Sequence, residues 1–199
     1  MTDRAVLFSI KPKYCELIAS GKKTVEVRKT SPKIETPFKC YIYCTNPNTK
    51  NPHEILEIHS SDEKIRKANG KVIGEFVCDY ISMNIKGYNQ DGVPAYWTLL
   101  NGSCLTADEL DDYGRGKPLY GLHISNLKIY DNPKTLDDFR KPCISPEMPY
   151  CPLCKVGYEY ISETEAEFYR VDGECRTEWR CLNWIKKPPQ SWCYVEDRQ

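Results

Sequence analysis

The chain has 199 residues, of which 40% are hydrophobic and 12% aromatic, which is enough to bury one core or one core with an insertion. No stretch approaches the roughly 20 consecutive apolar residues of a membrane-spanning helix, so we expect no membrane contact. Lysine and arginine total 28, as do aspartate and glutamate, so the net charge of zero does not indicate a partner.

The distribution of charge is more informative than its total. Residues 1–30 contain seven basic and three acidic residues, whereas residues 159–178 contain seven acidic and two basic ones. A local basic surface attracts phosphates even on a neutral protein. The N-terminus becomes charged too soon for a signal peptide, since Arg4, Lys11 and Lys13 lie within it, so we expect a cytoplasmic protein.

The first elements in chain order form a β-α-β unit. The apolar run Ala5–Ile10 predicts a buried strand, and Pro12–Ser20 predicts an amphipathic helix with proline at its first position. Gly21 follows as a C-terminal cap. Alternation over Lys23–Lys29 then predicts a half-buried strand whose charged side chains share one face.

Strands dominate the rest of the chain. They are predicted at Phe38–Cys44, Lys71–Ser82, Pro118–Asp131 and Ser191–Val195. Gly74 marks a bulge or a close backbone approach, and Thr106 with Glu109 forms a capping box that opens a short helix. Because helices are too few to cover both faces of a sheet, we expect an α+β fold, namely a small mixed β-barrel with few flanking helices.

Charged side chains cluster where the first helix meets the strand after it. Glu26 and Arg28 are two residues apart, or about 7 Å along a strand, and Lys23 enters at the strand's start. One interpretation is a solvated surface ion pair, which is common and weak. The other is the rim of a pocket, in which the carboxylate binds the exocyclic amine of a base and the cations bind phosphate or sugar.

Gly21, Lys23, Glu26 and Arg28 match the G-x-K-x-x-E-x-R motif of the ASCH family, a branch of the PUA-like superfamily. The chain also resembles bacterial and phage members of that family in three further segments. These are residues 9–14, 121–127 and 188–195. The resemblance covers residues 4–142 and 186–196, and it divides the chain into a domain of residues 1–142 plus 185–199 and a cysteine-rich insertion of residues 143–184.

The resemblance implies a PUA-like β-barrel whose cleft binds RNA or a modified nucleobase. One branch of the family hydrolyses the acyl amide of acetylated cytidine with a lysine, a threonine and a glutamate. The lysine falls on Lys23, but the threonine position holds Glu26, and Glu75 is only a candidate for the glutamate. We therefore expect binding without catalysis. An amidohydrolase that uses Lys23 and Glu26, and a protein-interaction scaffold, remain alternatives.

Five further residues are candidates for ligand contacts. Trp192 and Tyr43 could stack on a base or belong to the core, and Ser191 offers a hydroxyl. Lys11 and Lys13 lie at a helix N-terminus, where they form either a phosphate site or ordinary surface charge.

A cysteine cluster in the last third of the chain predicts a zinc site. Cys151 and Cys154 form a C-x-x-C turn that supplies two zinc ligands. Cys143 and Cys181 are expected to supply the other two, with Cys175 in reserve. Four thiolates leave no open coordination position, so the zinc is expected to be structural. The acidic residues of the insertion would repel nucleic acid, so we expect the insertion to brace the barrel or to contact another protein.

Overall fold

The structure is a computed structural model, and it describes residues 4–47, 55–59, 65–84, 97–142, 158–160, 179–181 and 185–196. Within these ranges, no helix is both long and apolar enough to cross a bilayer.

Twelve strands and three α-helices form the described part. The strands are β1 Arg4–Ile10, β2 Val25–Arg28, β3 Phe38–Cys44, β4 Glu57–His59, β5 Ile65–Lys67, β6 Lys71–Cys78, β7 Ile81–Asn84, β8 Leu119–His123, β9 Ser125–Lys134, β10 Tyr158–Tyr160, β11 Trp179–Cys181 and β12 Trp192–Glu196. The helices are α1 Pro12–Ala19, α2 Trp97–Ser103 and α3 Ala107–Gly114, with a 3₁₀ turn at Leu136–Asp138. The predicted α+β class, mostly strand with few helices, is confirmed.

Two sheets carry the architecture. A five-stranded sheet has the order β12-β1-β3-β6-β9, in which only the β1–β3 pair is parallel, and a three-stranded sheet has the order β2-β8-β7. Two further antiparallel strand pairs, β4–β5 and β10–β11, are separate from both sheets. The sequence predicts a mixed β-barrel, and the hydrogen-bonded ladders of the described strands do not close it into one ring.

The chain crosses between the two sheets at two strand breaks. The predicted strand Lys71–Ser82 is interrupted at Asp79 and Tyr80, and the predicted strand Pro118–Asp131 is interrupted at Ile124. Each was expected as one strand because its apolar pattern is continuous. Asn126, which adopts φ +48°, is the second residue of the strand that follows the second break. Each predicted strand is therefore two strands, one in each sheet.

The main core lies around β1, β3, β6 and α1. The Phe8 and Phe76 rings stack there with centroids 6.3 Å apart, and Cys15 and Ile18 of α1 are fully buried. This packing fixes α1 against the sheet, and with it the turn that leads into β2. Gly21 ends the helix with φ +72°, as predicted for a glycine cap.

Two local predictions in the middle of the chain are also confirmed. Thr106 and Glu109 form a reciprocal capping box at the start of α3. A Cβ atom on Gly74 would lie 2.4 Å from the backbone oxygen of Lys128, and the β6–β9 ladder is irregular at that point. Gly74 therefore marks both a close backbone approach and a bulge.

The two ends of the proposed insertion lie side by side. The Ile185 N–H donates to the Phe139 carbonyl at 3.0 Å, and the Glu196 N–H donates to the Arg140 carbonyl at the same distance. Arg140 and Glu196 also form an ion pair, with the Nε–Oε2 distance at 3.3 Å. The described segments on either side of residues 143–184 therefore lie next to each other.

Candidate functional site

Strand β2 is buried on both of its faces. Val25 and Val27 pack against a cluster formed with Leu99, Leu110 and Leu119. Glu26 and Arg28 occupy the opposite face and are only 6% and 8% exposed, and Lys23 just before the strand is 2% exposed. This burial excludes a solvated surface ion pair.

The three charged side chains form one connected network. Glu26 bridges two cations, with Oε2 at 3.5 Å from Lys23 Nζ and Oε1 at 3.0 Å from Arg28 Nη2. Lys23 Nζ also donates to the Ser103 carbonyl at 2.7 Å, and Arg28 Nη2 donates to the Ser9 carbonyl at 2.8 Å. These bonds join β2 to β1 and to the end of α2, so the network is held from three sides.

Burial shifts the protonation of groups around this network. Burial lowers the pKa of the Lys23 ammonium, although the charge and hydrogen bond of Glu26 act in the opposite direction. Burial also raises the pKa of the Tyr113 hydroxyl, while Arg28, with which it hydrogen-bonds, opposes the rise. Among the described residues, Arg28 Nε is buried without a hydrogen-bond partner, which costs stability. Such costs are typical of sites arranged for binding rather than for stability.

The network lines a cavity of about 550 Å³, within the usual range for small-molecule sites. Helix α1 contributes Tyr14, helix α3 contributes Tyr113, and the segment before β12 contributes residues 188–190. The Ser9 hydroxyl donates to the Pro189 carbonyl at 2.7 Å and fixes that segment against β1. The cavity is therefore built from parts of the chain that are far apart in sequence.

The formal charges of the cavity lining cancel. Its cations are Lys11, Lys23 and Arg28, and its carboxylates are Glu26, Glu109 and Asp112. The buried part holds two cations and one carboxylate, while Lys11, Glu109 and Asp112 are exposed at its edge. The lining offers both hydrogen-bond donors and acceptors without a strong net charge.

Four of the seven predicted ligand-binding residues line the cavity, namely Lys11, Lys23, Glu26 and Arg28. Lys13 is exposed outside it, with Nζ 5.5 Å from the centre of the Tyr14 ring. Ser191 and Trp192 also lie outside it. Strand β12 begins at Trp192, which pairs with Phe8. Trp192 Nε1 donates to Thr30 Oγ1 at 3.1 Å.

Two other candidates lie away from the cavity. Tyr43 is 3% exposed and belongs to a second core cluster on the opposite face of the large sheet. Glu75 accepts a hydrogen bond of 2.6 Å from the Tyr130 hydroxyl and does not line the cavity. Tyr43 is therefore a core residue, and Glu75 is not placed to complete a catalytic group with Lys23.

Several lining residues were not identified from the sequence. They are Tyr14, Leu105, Glu109, Asp112, Tyr113 and Gln190. The sequence of α3 does show that three of them share one helix face, because Glu109, Asp112 and Tyr113 have i, i+3, i+4 spacing. No local pattern connects that face to β2, so only the fold reveals its role.

Four of the five cysteines predicted to bind zinc lie outside the described residues. Cys143, Cys151, Cys154 and Cys175 are not described, and Cys181 is described only as part of strand β11. The ranges that the structure does describe contain no group of three or more potential metal ligands.

Three solved structures of the ASCH protein from Zymomonas mobilis are similar to this chain. A single-residue variant has a TM-score of 0.54 and 16% identity, and the match covers 97% of this chain and 89% of that one. The unaltered protein and a second variant have TM-scores of 0.47 and 0.48 and identities of 21% and 20%. They cover 67% of this chain and 74% and 76% of their own. No protein-family model matches the sequence, and no curated protein matches it either.

Two strand-rich sheets with few helices define an α+β fold. More particularly, the chain has the fold of an ASCH domain, as the match at TM-score 0.54 shows over 97% of its length. At 16% identity this similarity establishes the fold alone.

Proposed function

We propose that the cavity binds a nucleobase, carried either by RNA or by a modified nucleoside. The observation that carries this proposal is the buried Glu26 carboxylate, held between Lys23 and Arg28 in the lining of a cavity of about 550 Å³. A carboxylate accepts hydrogen bonds from ring or exocyclic N–H groups, and the two cations donate to carbonyl and ring-nitrogen acceptors. A nucleobase presents both kinds of group on one edge.

The charges of the lining favour a neutral ring over a phosphate inside the cavity. Both buried cations are already paired with Glu26, and Glu109 and Asp112 add negative charge at the edge. A phosphate would need unpaired cations and would be repelled by these carboxylates. The phosphates of a bound RNA would therefore remain outside, near exposed cations such as Lys11.

Two tyrosines support recognition of an aromatic ligand. Tyr14 and Tyr113 both line the cavity, from α1 and α3 respectively. The Tyr14 ring has Lys23 Nζ 5.3 Å from its centre, which fixes the lysine over the ring face. Stacking on aromatic side chains is the usual way in which proteins hold unpaired bases.

The proposal predicts binding that depends on Lys23 and is independent of its neighbour Lys13. We expect Lys23→Ala to weaken nucleoside binding about 10-fold or more, because a buried charged hydrogen-bond donor is lost. Lys13→Ala, which removes an exposed lysine near the same tyrosine, should change it less than about twofold. The measurement is calorimetric titration with the four ribonucleosides and acetylated cytidine. Equal losses in both variants, or no binding by the wild type, would contradict the proposal.

A second candidate function is hydrolysis of an acylated pyrimidine nucleoside. It is favoured by the lowered pKa of Lys23 and by the 3.5 Å separation of Lys23 Nζ and Glu26 Oε2. Glu26 would accept a proton from water as the water adds to the acyl carbon, and Lys23 would donate one to the leaving nitrogen. The amide C–N bond would then break to give a carboxylic acid and the free amine.

The same titration samples separate binding from hydrolysis. Acetylated cytidine should be recovered unchanged after incubation with the wild type if the cavity only binds. Formation of cytidine by the wild type and not by Lys23→Ala would establish the hydrolase instead.

The salt dependence of RNA binding distinguishes nucleic-acid recognition from a scaffold that binds only proteins. Contacts with phosphates release counterions, so the RNA affinity must fall steeply as salt rises. A cytoplasmic scaffold that contacts another protein through the acidic residues 159–178 would show no such RNA affinity.

We also propose that the insertion holds one structural zinc through Cys143, Cys151, Cys154 and Cys181, with Cys175 in reserve. The adjacent ends of the insertion, joined by the Ile185–Phe139 hydrogen bond, support a compact unit closed by a metal. Elemental analysis of the purified protein should return about one zinc per chain. Cys151→Ser should reduce that content, whereas Cys104→Ser, which alters an exposed cysteine outside the insertion, should not. Absence of zinc from the wild type would refute the proposal.

A further inference from the structure

The buried network presents its hydrogen-bonding groups in a fixed order within the cavity lining. Glu26 lies between the two cations, with one carboxylate oxygen near Lys23 and the other near Arg28. All three side chains line the cavity, and each is at most 8% exposed. Because enclosed side chains that are bonded to one another do not rearrange freely, the order cation, carboxylate, cation is set before a ligand enters.

Lys23 and Glu26 keep hydrogen-bonding capacity beyond the bonds described. The Lys23 ammonium has three N–H groups, and its bonds to Glu26 and to the Ser103 carbonyl use two of them. Each oxygen of the Glu26 carboxylate faces one cation and can accept a second hydrogen bond. The network can therefore bind a ligand without breaking its internal bonds.

A donor also remains on the Arg28 side of the carboxylate. The Arg28 bonds to Glu26 and to the Ser9 carbonyl both come from Nη2. Tyr113, which lines the cavity as well, hydrogen-bonds with the same guanidinium. A guanidinium can only donate, so the tyrosine oxygen accepts and its own hydrogen is left for another acceptor. The carboxylate thus has a donor on each side.

The complement of donor, acceptor, donor is a ring N–H between two carbonyl groups. Among the four bases of RNA, only uracil presents this imide edge. Cytosine and adenine carry an unprotonated ring nitrogen, whose lone pair would face the Glu26 carboxylate. Guanine has one carbonyl beside its ring N–H, but its amino group on the other side would face a cation.

We propose that the cavity selects uracil and its derivatives, with Glu26 accepting the ring N–H while Lys23 and the Arg28–Tyr113 pair donate to the two carbonyls. This inference rests on the proposed function of the cavity and names the base. The selectivity comes mainly from rejection of the other bases, because leaving a buried polar group unpaired costs more than a well-made hydrogen bond contributes.

The test compares nucleosides on the unaltered protein by calorimetric titration. Uridine should bind at least about 10-fold more tightly than cytidine or adenosine, and more tightly than guanosine. N3-methyluridine, in which a methyl group replaces the hydrogen of the ring N–H, should bind at least about 10-fold more weakly than uridine. C5-methyluridine carries the same methyl group away from the imide edge and should bind within about threefold of uridine.

Glu26→Gln gives a second readout, which a purely structural role would not change. Glutamine offers an N–H donor as well as a carbonyl acceptor, so it can face the ring nitrogen of cytosine. The ratio of uridine affinity to cytidine affinity should fall at least about fivefold in this variant. Glu16→Gln makes the same change on the exposed surface of α1 and should keep the wild-type ratio. The nucleoside series decides the inference by itself if Glu26→Gln does not fold.

The outcomes separate this inference from the proposed function. Tighter binding of cytidine or guanosine than of uridine would overturn the selection of uracil, as would equal losses from the two methyl groups or an unchanged ratio in folded Glu26→Gln. The cavity proposal would then stand as long as Lys23→Ala still weakened binding of the preferred nucleoside. A wild type that binds no nucleoside would overturn both.

Discussion

Glu26→Gln should lower the free energy of unfolding by about 3 kcal/mol, since it leaves two buried cations without their counter-charge. The substitution keeps the size of the side chain, so its effect reports charge rather than packing. Glu26 raises the pKa of Lys23 both by its charge and by its hydrogen bond. In the variant, loss of a proton from Lys23 should therefore remove part of the energetic cost of the unpaired buried cations. Urea denaturation followed by circular dichroism measures the loss.

Two controls identify the source of this loss. Glu16→Gln removes a carboxylate from the exposed face of α1 and should change stability by less than about 0.5 kcal/mol. Adding Lys23→Met to Glu26→Gln removes one of the unpaired cations, so the double variant should be less destabilised than the sum of the single variants. Additive effects would show that Lys23 and Glu26, whose charged atoms are 3.5 Å apart, have no coupling free energy.

The same variant tests ligand recognition. If a base donates N–H to the Glu26 carboxylate, glutamine replaces one acceptor oxygen with a donor and should reduce affinity about 10-fold or more. Glu16→Gln should bind nucleosides like the wild type. A Glu26→Gln variant that is destabilised yet binds nucleosides normally would show that Glu26 only supports the fold.

The N-terminal part of the site could be predicted because its signals are local. Pro12 and Gly21 bracket α1, and the alternation after Gly21 defines β2, so the relative positions of Lys23, Glu26 and Arg28 follow from short-range geometry. The alternation did not reveal that the charged face is also buried. A polar face of a strand is normally exposed to solvent. Here other segments pack over the polar face of β2 and bury it.

The rest of the site depends on contacts that no local pattern encodes. Lys23 bonds to Ser103, 80 residues away, and Ser9 bonds to Pro189, 180 residues away. The strand breaks at residues 79–80 and at Ile124 were missed for a related reason. Apolar residues continue on both sides of each break, so periodicity does not show where the chain changes partner.

These distant contacts also explain why the resemblance in sequence identified the fold better than the cavity. The motif residues lie on the part of the cavity that β2 and the end of α1 provide. The opposite part comes from α3 and residues 188–190, where Glu109, Asp112 and Gln190 line the cavity. We therefore expect these three residues to determine which modification of the base is preferred among proteins that share the Lys23, Glu26 and Arg28 network.

Gly74→Ala should destabilise the protein by about 3 kcal/mol, although alanine adds a single methyl group. Its Cβ atom would lie 2.4 Å from the Lys128 carbonyl oxygen and 3.2 Å from Ile129 Cα, both of them backbone atoms. Strand β6 is paired on both sides, by β3 and β9, so neither neighbour can move without breaking ladder hydrogen bonds. Thermal and urea unfolding of the variant measure the loss.

Gly21→Ala separates steric clash from backbone conformation. A Cβ atom on Gly21 meets nothing within 4 Å among the described residues, but its φ of +72° disfavours any side chain. We expect a cost of about 1 kcal/mol there, which is clearly smaller than at Gly74. If the two variants lost equal stability, the close approach of β6 and β9 would not be the reason that position 74 is glycine. Since Gly21 fixes the turn that directs Lys23 into the cavity, Gly21→Ala should also weaken nucleoside binding, and Gly74→Ala, at temperatures where it remains folded, should not.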